Sequence, residues 1–120
     1  MSENVDIVIV DLVGSGHCTA SEDGQKVYDL INESLKAGKE VHLSFKGVED
    51  LTTAFLNTAV GQLYGEYSEG EIKSKVSVSD AAQDDLLILK RVVERAKEFF
   101  KDNERYKAAT DEALGGSDGN

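Results

Sequence analysis

Val41-His42-Leu43-Ser44-Phe45-Lys46-Gly47-Val48-Glu49-Asp50-Leu51-Thr52-Thr53-Ala54-Phe55-Leu56-Asn57 changes its hydrophobic period halfway along, and that change sets the architecture. The first five residues alternate, so Val41, Leu43 and Phe45 share one face of a strand while His42 and Ser44 take the other. Such a strand is covered by helices on one side only. After the loop Lys46 to Asp50, Thr52 stands where its hydroxyl can cap a helix, and Leu51 and Leu56 occupy the two positions of a hydrophobic staple. Phe55, Leu56, Ala59, Val60 and Leu63 then give that helix a broad apolar face, and Gly65 is expected to end it. The segment therefore reads as a strand-to-helix crossover.

Upstream, residues 5 to 13 are rich in β-branched types and predict a strand with Val5, Ile7 and Ile9 on one face. Gly14, Ser15 and Gly16 supply a turn, from which His17 to Ala20 is expected to return as a short antiparallel strand. Ser21 is a suitable N-cap for a helix over about 22 to 37, whose stripe is Val27, Leu30, Ile31 and Leu35, with Gly38 as the left-handed residue past its end. Downstream, residues 66 to 74 are acidic and turn-like, and Lys75 to Val78 is a short strand. Asp80, with Gln83 three residues on, opens a last helix. Its apolar residues Leu86, Leu89, Val93, Ala96 and Phe100 repeat at helical spacing, widened by Val92 and Phe99. The expected fold is α/β, a small mixed sheet of about four strands with helices packed mainly on one face. Residues 1–106 form the single domain and 107–120, small, polar and glycine-rich, a flexible C-terminal tail.

The 120 residues carry 13 basic and 23 acidic side chains, a formal charge of −10. No cluster of Lys or Arg is available for counterion release, which argues against nonspecific binding to nucleic acid or anionic membrane, and a basic partner, or simple solubility, fits better. No run of about 18 apolar residues and no signal-peptide pattern occurs, and a single thiol, Cys18, suits a reducing compartment, so the expected location is cytoplasmic.

Little in the residue chemistry points to catalysis. Gly14-Ser15-Gly16 follows a strand as a phosphate-binding loop would, but Thr19 stands where the third glycine of the dinucleotide fingerprint belongs, and the Walker Gly-Lys-Ser/Thr is missing. Gly14, Ser15 and Gly16, with the loop continuing to Cys18, are kept as an alternative site for a small molecule or nucleotide at the ends of the strands. Cys18 with His42 would make a nucleophile and base only if their strands were neighbours, and His17 lies on the opposite face from Cys18. Two histidines and one cysteine without ligand spacing define no metal site. The expectation is no enzyme, no cofactor and no metal. The hydroxyls of Thr52 and Thr53, beside Gly47, Val48, Glu49 and Asp50, are the residues singled out for partner docking, Thr53 being placed where an added phosphate would change the surface by nearly two charges.

The run from Val41 to Val48 and from Leu51 to Leu56 resembles STAS domains, the sulphate-transporter and anti-sigma-factor-antagonist family. With Phe55-Leu56-Asn57 and Val60-Gly61-Gln62-Leu63-Tyr64 it is closer to a bacterial STAS-like family of unknown function. The likeness covers about residues 5 to 106. It implies a STAS-like fold and a partner-switching role in signalling, with a protein partner such as a GHKL-type kinase. The oligomeric state is read instead from the last helix, whose breadth with Val92 and Phe99 suits either a docked helix or self-association, so a monomer or weak homodimer is expected. In antagonist STAS proteins the helix opens with Asp-Ser-Ser/Thr-Gly. Here Thr52 stands at the Asp, Thr53 at the first Ser, Ala54 at the usual phosphoacceptor and Phe55 at the Gly. The docking surface carries over, whereas the hydroxyl is displaced by one residue to Thr53.

Overall fold

The computed structural model describes residues 3–113, with side chains described as far as Lys101. Strand β1 (Asn4–Val8) is followed by a single helical turn, α1 (Ile9–Val13), then β2 (His17–Cys18) and helix α2 (Ser21–Lys36). Next come β3 (Glu40–Ser44), β4 (Asp50–Leu51) and α3 (Thr53–Leu56), which continues through a π-helical turn at Asn57–Gly61 into α4 (Leu63–Glu66). The chain closes with α5 (Glu69–Lys75), β5 (Val76–Ser79) and the long α6 (Gln83–Ala113).

The sheet is not the single mixed one expected. Strands β1, β3 and β5 form a three-stranded sheet in that order, β2 and β4 form a separate two-stranded one, and every pairing is parallel. The hairpin expected at Gly14–Gly16 fails for a physical reason. Val8 pairs with Ser44, the last residue of β3, so a strand continuing through residue 13 would have no neighbour for its N–H and C=O groups. Residues 9 to 13 satisfy those groups by coiling, and Gly14 (φ 87°) ends the turn in the left-handed conformation, its N–H donating to the Val10 carbonyl at 2.8 Å.

The alternation in β3 holds. Val41 and Leu43 are buried against the helices, as is Phe45 just beyond the strand, while His42 and Ser44 are on the other face, which no helix covers. Ile7 of β1 and Val76 and Val78 of β5 extend the apolar face, and Asp6, Ser77 and Ser79 the polar one. Beneath the apolar face lie α2 and the α3–π–α4 segment, with Val27, Ile31, Phe55, Leu56 and Leu63 fully buried between them. Each such side chain contributes on the order of 1.5–3 kcal/mol relative to exposure, enough in sum for a core without staples. α2 approaches its neighbour closely because Gly24 has no Cβ; one built there would collide with the Phe55 carbonyl oxygen and crowd Thr58.

Several boundaries move. Helix α2 begins at Ser21 itself, with extended Ala20 preceding it and no side-chain cap, whereas Gly38 (φ 79°) is left-handed as expected. Residues 69 to 75 form a full helix rather than a turn, because Ser68 and Glu71 make a reciprocal capping box. Gly65 lies inside α4 instead of ending it, and its bare Cα admits the Phe100 ring, which would be 2.5 Å from a Cβ there. Asp80 does not cap α6; it has φ 59° and accepts from the Ser44 and Ser79 hydroxyls at 3.3 Å each. α6 runs on through residues 107 to 113, where the expected tail begins, as Lys-Ala-Ala favours helix; residues 114 to 120 of that tail lie outside the described residues.

Candidate functional site

The two segments read separately from the sequence meet at one end of the molecule. The parallel pairing of β2 with β4 sets His17 beside Asp50 and Cys18 beside Leu51. The Gly16 carbonyl accepts from the N–H groups of Glu49 (2.8 Å) and Asp50 (3.2 Å), and the Thr52 N–H reaches the Cys18 carbonyl at 3.3 Å. Gly16 must be glycine for this approach, since a Cβ would stand 2.7 Å from the Gly47 carbonyl oxygen. Gly47 itself (φ 86°) makes the turn after β3, near the Val10 side chain. Gly14–Gly16 and Gly47–Asp50 thus form a single surface just beyond the carboxyl ends of β1 and β3, the edge at which α/β folds commonly place their sites.

Thr52 and Thr53 have different surroundings. The Thr52 hydroxyl accepts from the Phe55 N–H at 3.2 Å, as the cap pattern predicts, and donates to the Thr19 carbonyl at 2.8 Å, tying α3 to the segment that enters α2. Both its hydrogen-bonding roles are filled within the fold. Thr53 is exposed, and its hydroxyl makes no hydrogen bond among the described residues. Ala54 is exposed beside it. Of the loop residues, Val48 is half-buried against the core, whereas Glu49 and Asp50 are exposed.

His17, part of the Gly14–Cys18 loop read from the sequence, belongs to this surface, and its pairing with Asp50 is what sequence reasoning missed. Its Nδ1 lies 2.5 Å from Asp50 Oδ2, with both side chains largely exposed, and its N–H donates to Ser15 Oγ at 3.0 Å. The pair exists only because β2 runs parallel to β4, a long-range pairing for which the sequence carries no local signal. With Asp11, Glu49 and Asp50 exposed and Lys46 in the same loop, the surface shares the acidic balance of the chain.

The remaining nucleophile and base are apart. Cys18 is fully buried, and burial, followed by the carboxylates of Asp23 and Asp85, pushes its thiol above its ordinary range, the reverse of what an attacking thiolate needs. His42 is in the other sheet, on its polar face, where Nδ1 meets Ser77 Oγ at 2.8 Å and Nε2 meets Ser79 Oγ at 2.7 Å. Among the described residues no group of three or more His, Cys, Asp or Glu side chains is placed to hold a metal ion, and no helix is long and apolar enough to cross a membrane.

A parallel sheet with helices over one face, a polar face left open, and a strand-to-helix crossover beyond its carboxyl edge define an α/β domain of STAS-like type. A family model for the STAS-like domain of unknown function (DUF4325) matches residues 23–86, just over half of the chain, and the chain belongs to that family. The match runs from α2 to the start of α6 and includes the crossover with Thr52 and Thr53, but not Gly14–Cys18. Comparison with curated proteins and with solved structures gave no significant match.

Proposed function

We propose that the domain is a noncatalytic docking module for another protein, of the kind that STAS-type regulators use in bacterial partner switching, and that it works in the cytoplasm. The observation that carries this reading is the division of labour between the two threonines. Thr52 fixes the crossover from within, leaving Thr53 and Ala54 exposed on a backbone that is already ordered, so a partner does not bear the entropy of ordering a loop. Asp50 with His17, and Glu49, flank that patch and supply polar contacts for a partner of basic character. A protein kinase of the GHKL type is one such partner, and a phosphate on Thr53 would project to solvent, where it alters the charge of the surface without disturbing the cap.

The alternative of a ligand loop at Gly14, Ser15 and Gly16 has less support. The Gly14 N–H is donated back to the Val10 carbonyl of α1 and the His17 N–H to the Ser15 hydroxyl, and Gly16 is wedged against Gly47. An anion would find few donors left there.

The test is a comparative affinity capture from a bacterial lysate, using the parent, Thr53→Glu, Thr53→Val and, as an off-surface control, Ser77→Glu on the open face of the sheet. The reading expects a protein retained by the parent, Thr53→Val and Ser77→Glu but lost from Thr53→Glu, and the same order when that protein is purified and titrated. An identical set of proteins on all four baits removes the crossover as the docking surface.

A further inference from the structure

A second feature lies away from the crossover and does not depend on its role. Helix α6 rests mainly on α3, the π turn and α4. A cleft of about 260 Å³ is left between the covered face of the sheet, α5 and α6. Leu43, Ile72, Val76, Val78, Leu89 and Val93 form its walls, and the last four of these are only half-buried. The cleft opens to solvent, and its mostly apolar walls leave hydrocarbon surface that a small apolar group entering it would cover.

The mouth of the cleft has a distinct chemistry. Tyr64, Glu69, Lys73 and Lys97 line it, and Lys97 Nζ lies 2.7 Å from Glu69 Oε2. In a chain with a formal charge of −10, this rim sets two ammonium groups against one carboxylate. Glu94 and Glu98 lie outside it, with Lys97 and Lys101 around the next depression along α6. Burial also holds the Tyr64 phenol above its ordinary range, with Glu69 adding to the rise and Lys97 opposing it, so the hydroxyl remains a donor at neutral pH. An apolar hollow with surplus positive charge and a phenolic donor at its mouth suits a molecule with a hydrocarbon body and an anionic head.

We propose that this cleft is a binding site for a small amphiphilic carboxylate, its hydrocarbon portion among the valines and leucines of β5 and α6 and its head group at Lys73, Lys97 and Tyr64. The family match stops at Leu86, so Leu89, Val93 and Lys97, which make the outer wall and half of the cationic rim, belong to the part of the chain beyond it.

The test titrates the full chain with octanoate, octanol and octylamine below their micellar concentrations, following amide and methyl resonances and the thermal midpoint. Octanoate is expected to shift the signals of Val76, Val78, Leu89 and Val93 saturably and raise the midpoint, binding about tenfold or more tightly than octylamine. Val93→Phe, which fills the cleft, should abolish these shifts. Lys73→Gln with Lys97→Gln, both at the solvent rim and compatible with folding, should weaken octanoate about tenfold and leave octanol unchanged. The proposal is overturned by the absence of saturable shifts in the parent, by equal affinity for the amine, or by octanoate binding that survives the lysine pair.

Discussion

Thr52 and Thr53 are chemically equivalent and adjacent, yet one is a structural part and the other a surface group. Replacing the Thr52 hydroxyl in Thr52→Val removes a helix cap and the bond to the Thr19 carbonyl, and is expected to cost about 1–2 kcal/mol in urea unfolding. Thr53→Val removes no hydrogen bond and should stay within about 0.5 kcal/mol of the parent. Equal losses at the two positions would mean that Thr53 is held by the fold as well. Cys18 gives a second test by its thiol chemistry. Buried, and with its pKa raised first by that burial and then by Asp23 and Asp85, it should react with a disulfide reagent in the native protein only as fast as the chain opens, and rapidly in urea. Fast native labelling near neutral pH would restore the thiol as a chemical group.

Between elements, close approach and charge act with different force. Gly24→Ala would gain on the order of 1 kcal/mol in intrinsic helix propensity. The new methyl, however, meets the Phe55 carbonyl of the neighbouring segment, backbone that cannot swing aside, and overpacking of that kind costs about 1–3 kcal/mol. A net loss of stability is therefore expected on thermal unfolding, although the substitution favours the helix itself. Across α5 and α6, the hydrogen bond and charge of Lys97 hold the Glu69 carboxyl below its ordinary 4.5, and the hydrogen bond that Lys97 donates to Glu69 holds the ammonium above its ordinary 10.5. A lowered carboxyl pKa contributes stability above 4.5 that is lost as pH falls through the folded value; a raised lysine pKa contributes below 10.5 and is lost as pH climbs through its own. The pair is exposed, so the effect is small, and Glu69→Gln should flatten the acid limb of the stability profile below pH 4.5 only slightly while leaving neutral pH nearly unchanged. A large loss at neutral pH would show that the pair holds α6 in place.

Taken as one body, the domain needs α6 although the family match ends where that helix begins. Val92, 1% exposed, and Ala96 seal the π turn and α4 from above, and Phe100 occupies the space left by Gly65. A chain ending at Asp80 should therefore lose its cooperative urea transition and bind a hydrophobic dye. A sharp transition in that fragment would make α6 an appendage. Among the described side chains of α6 the exposed large apolar ones are Leu86 at 46%, Leu87 at 59% and Phe99 at 63%, and Phe99 lies about 120° or more around the helix axis from the other two, so they form no continuous seam for a second copy. Sedimentation should accordingly show a monomer at both low and high concentration.

The local signals were legible because they depend on near neighbours along the chain. Alternation in Val41 to Phe45, the Thr52 cap and Gly38 past α2 involve residues within a turn or a pleat of each other, and all appear in the structure; α6 is a helix as its spacing predicts, but Leu86 and Phe99 of its expected face are exposed while Val92 is fully buried. The crossover could be read as the docking candidate on that basis, together with the resemblance it carries. Pairing between distant strands has no such signature. The end of β3 at Ser44 turned residues 9 to 13 from strand to helix, and the parallel match of β2 with β4 brought His17 to Asp50 and joined two loops into one surface. Gly24 and Gly65 look in sequence like a weak point and a helix stop, and become contact sites only when a neighbouring backbone or ring arrives. Hydrophobic period and capping are set by the backbone's own geometry, whereas partner strand, close approach and the cleft under α6 are set by which surfaces meet, and that is decided when the whole chain packs.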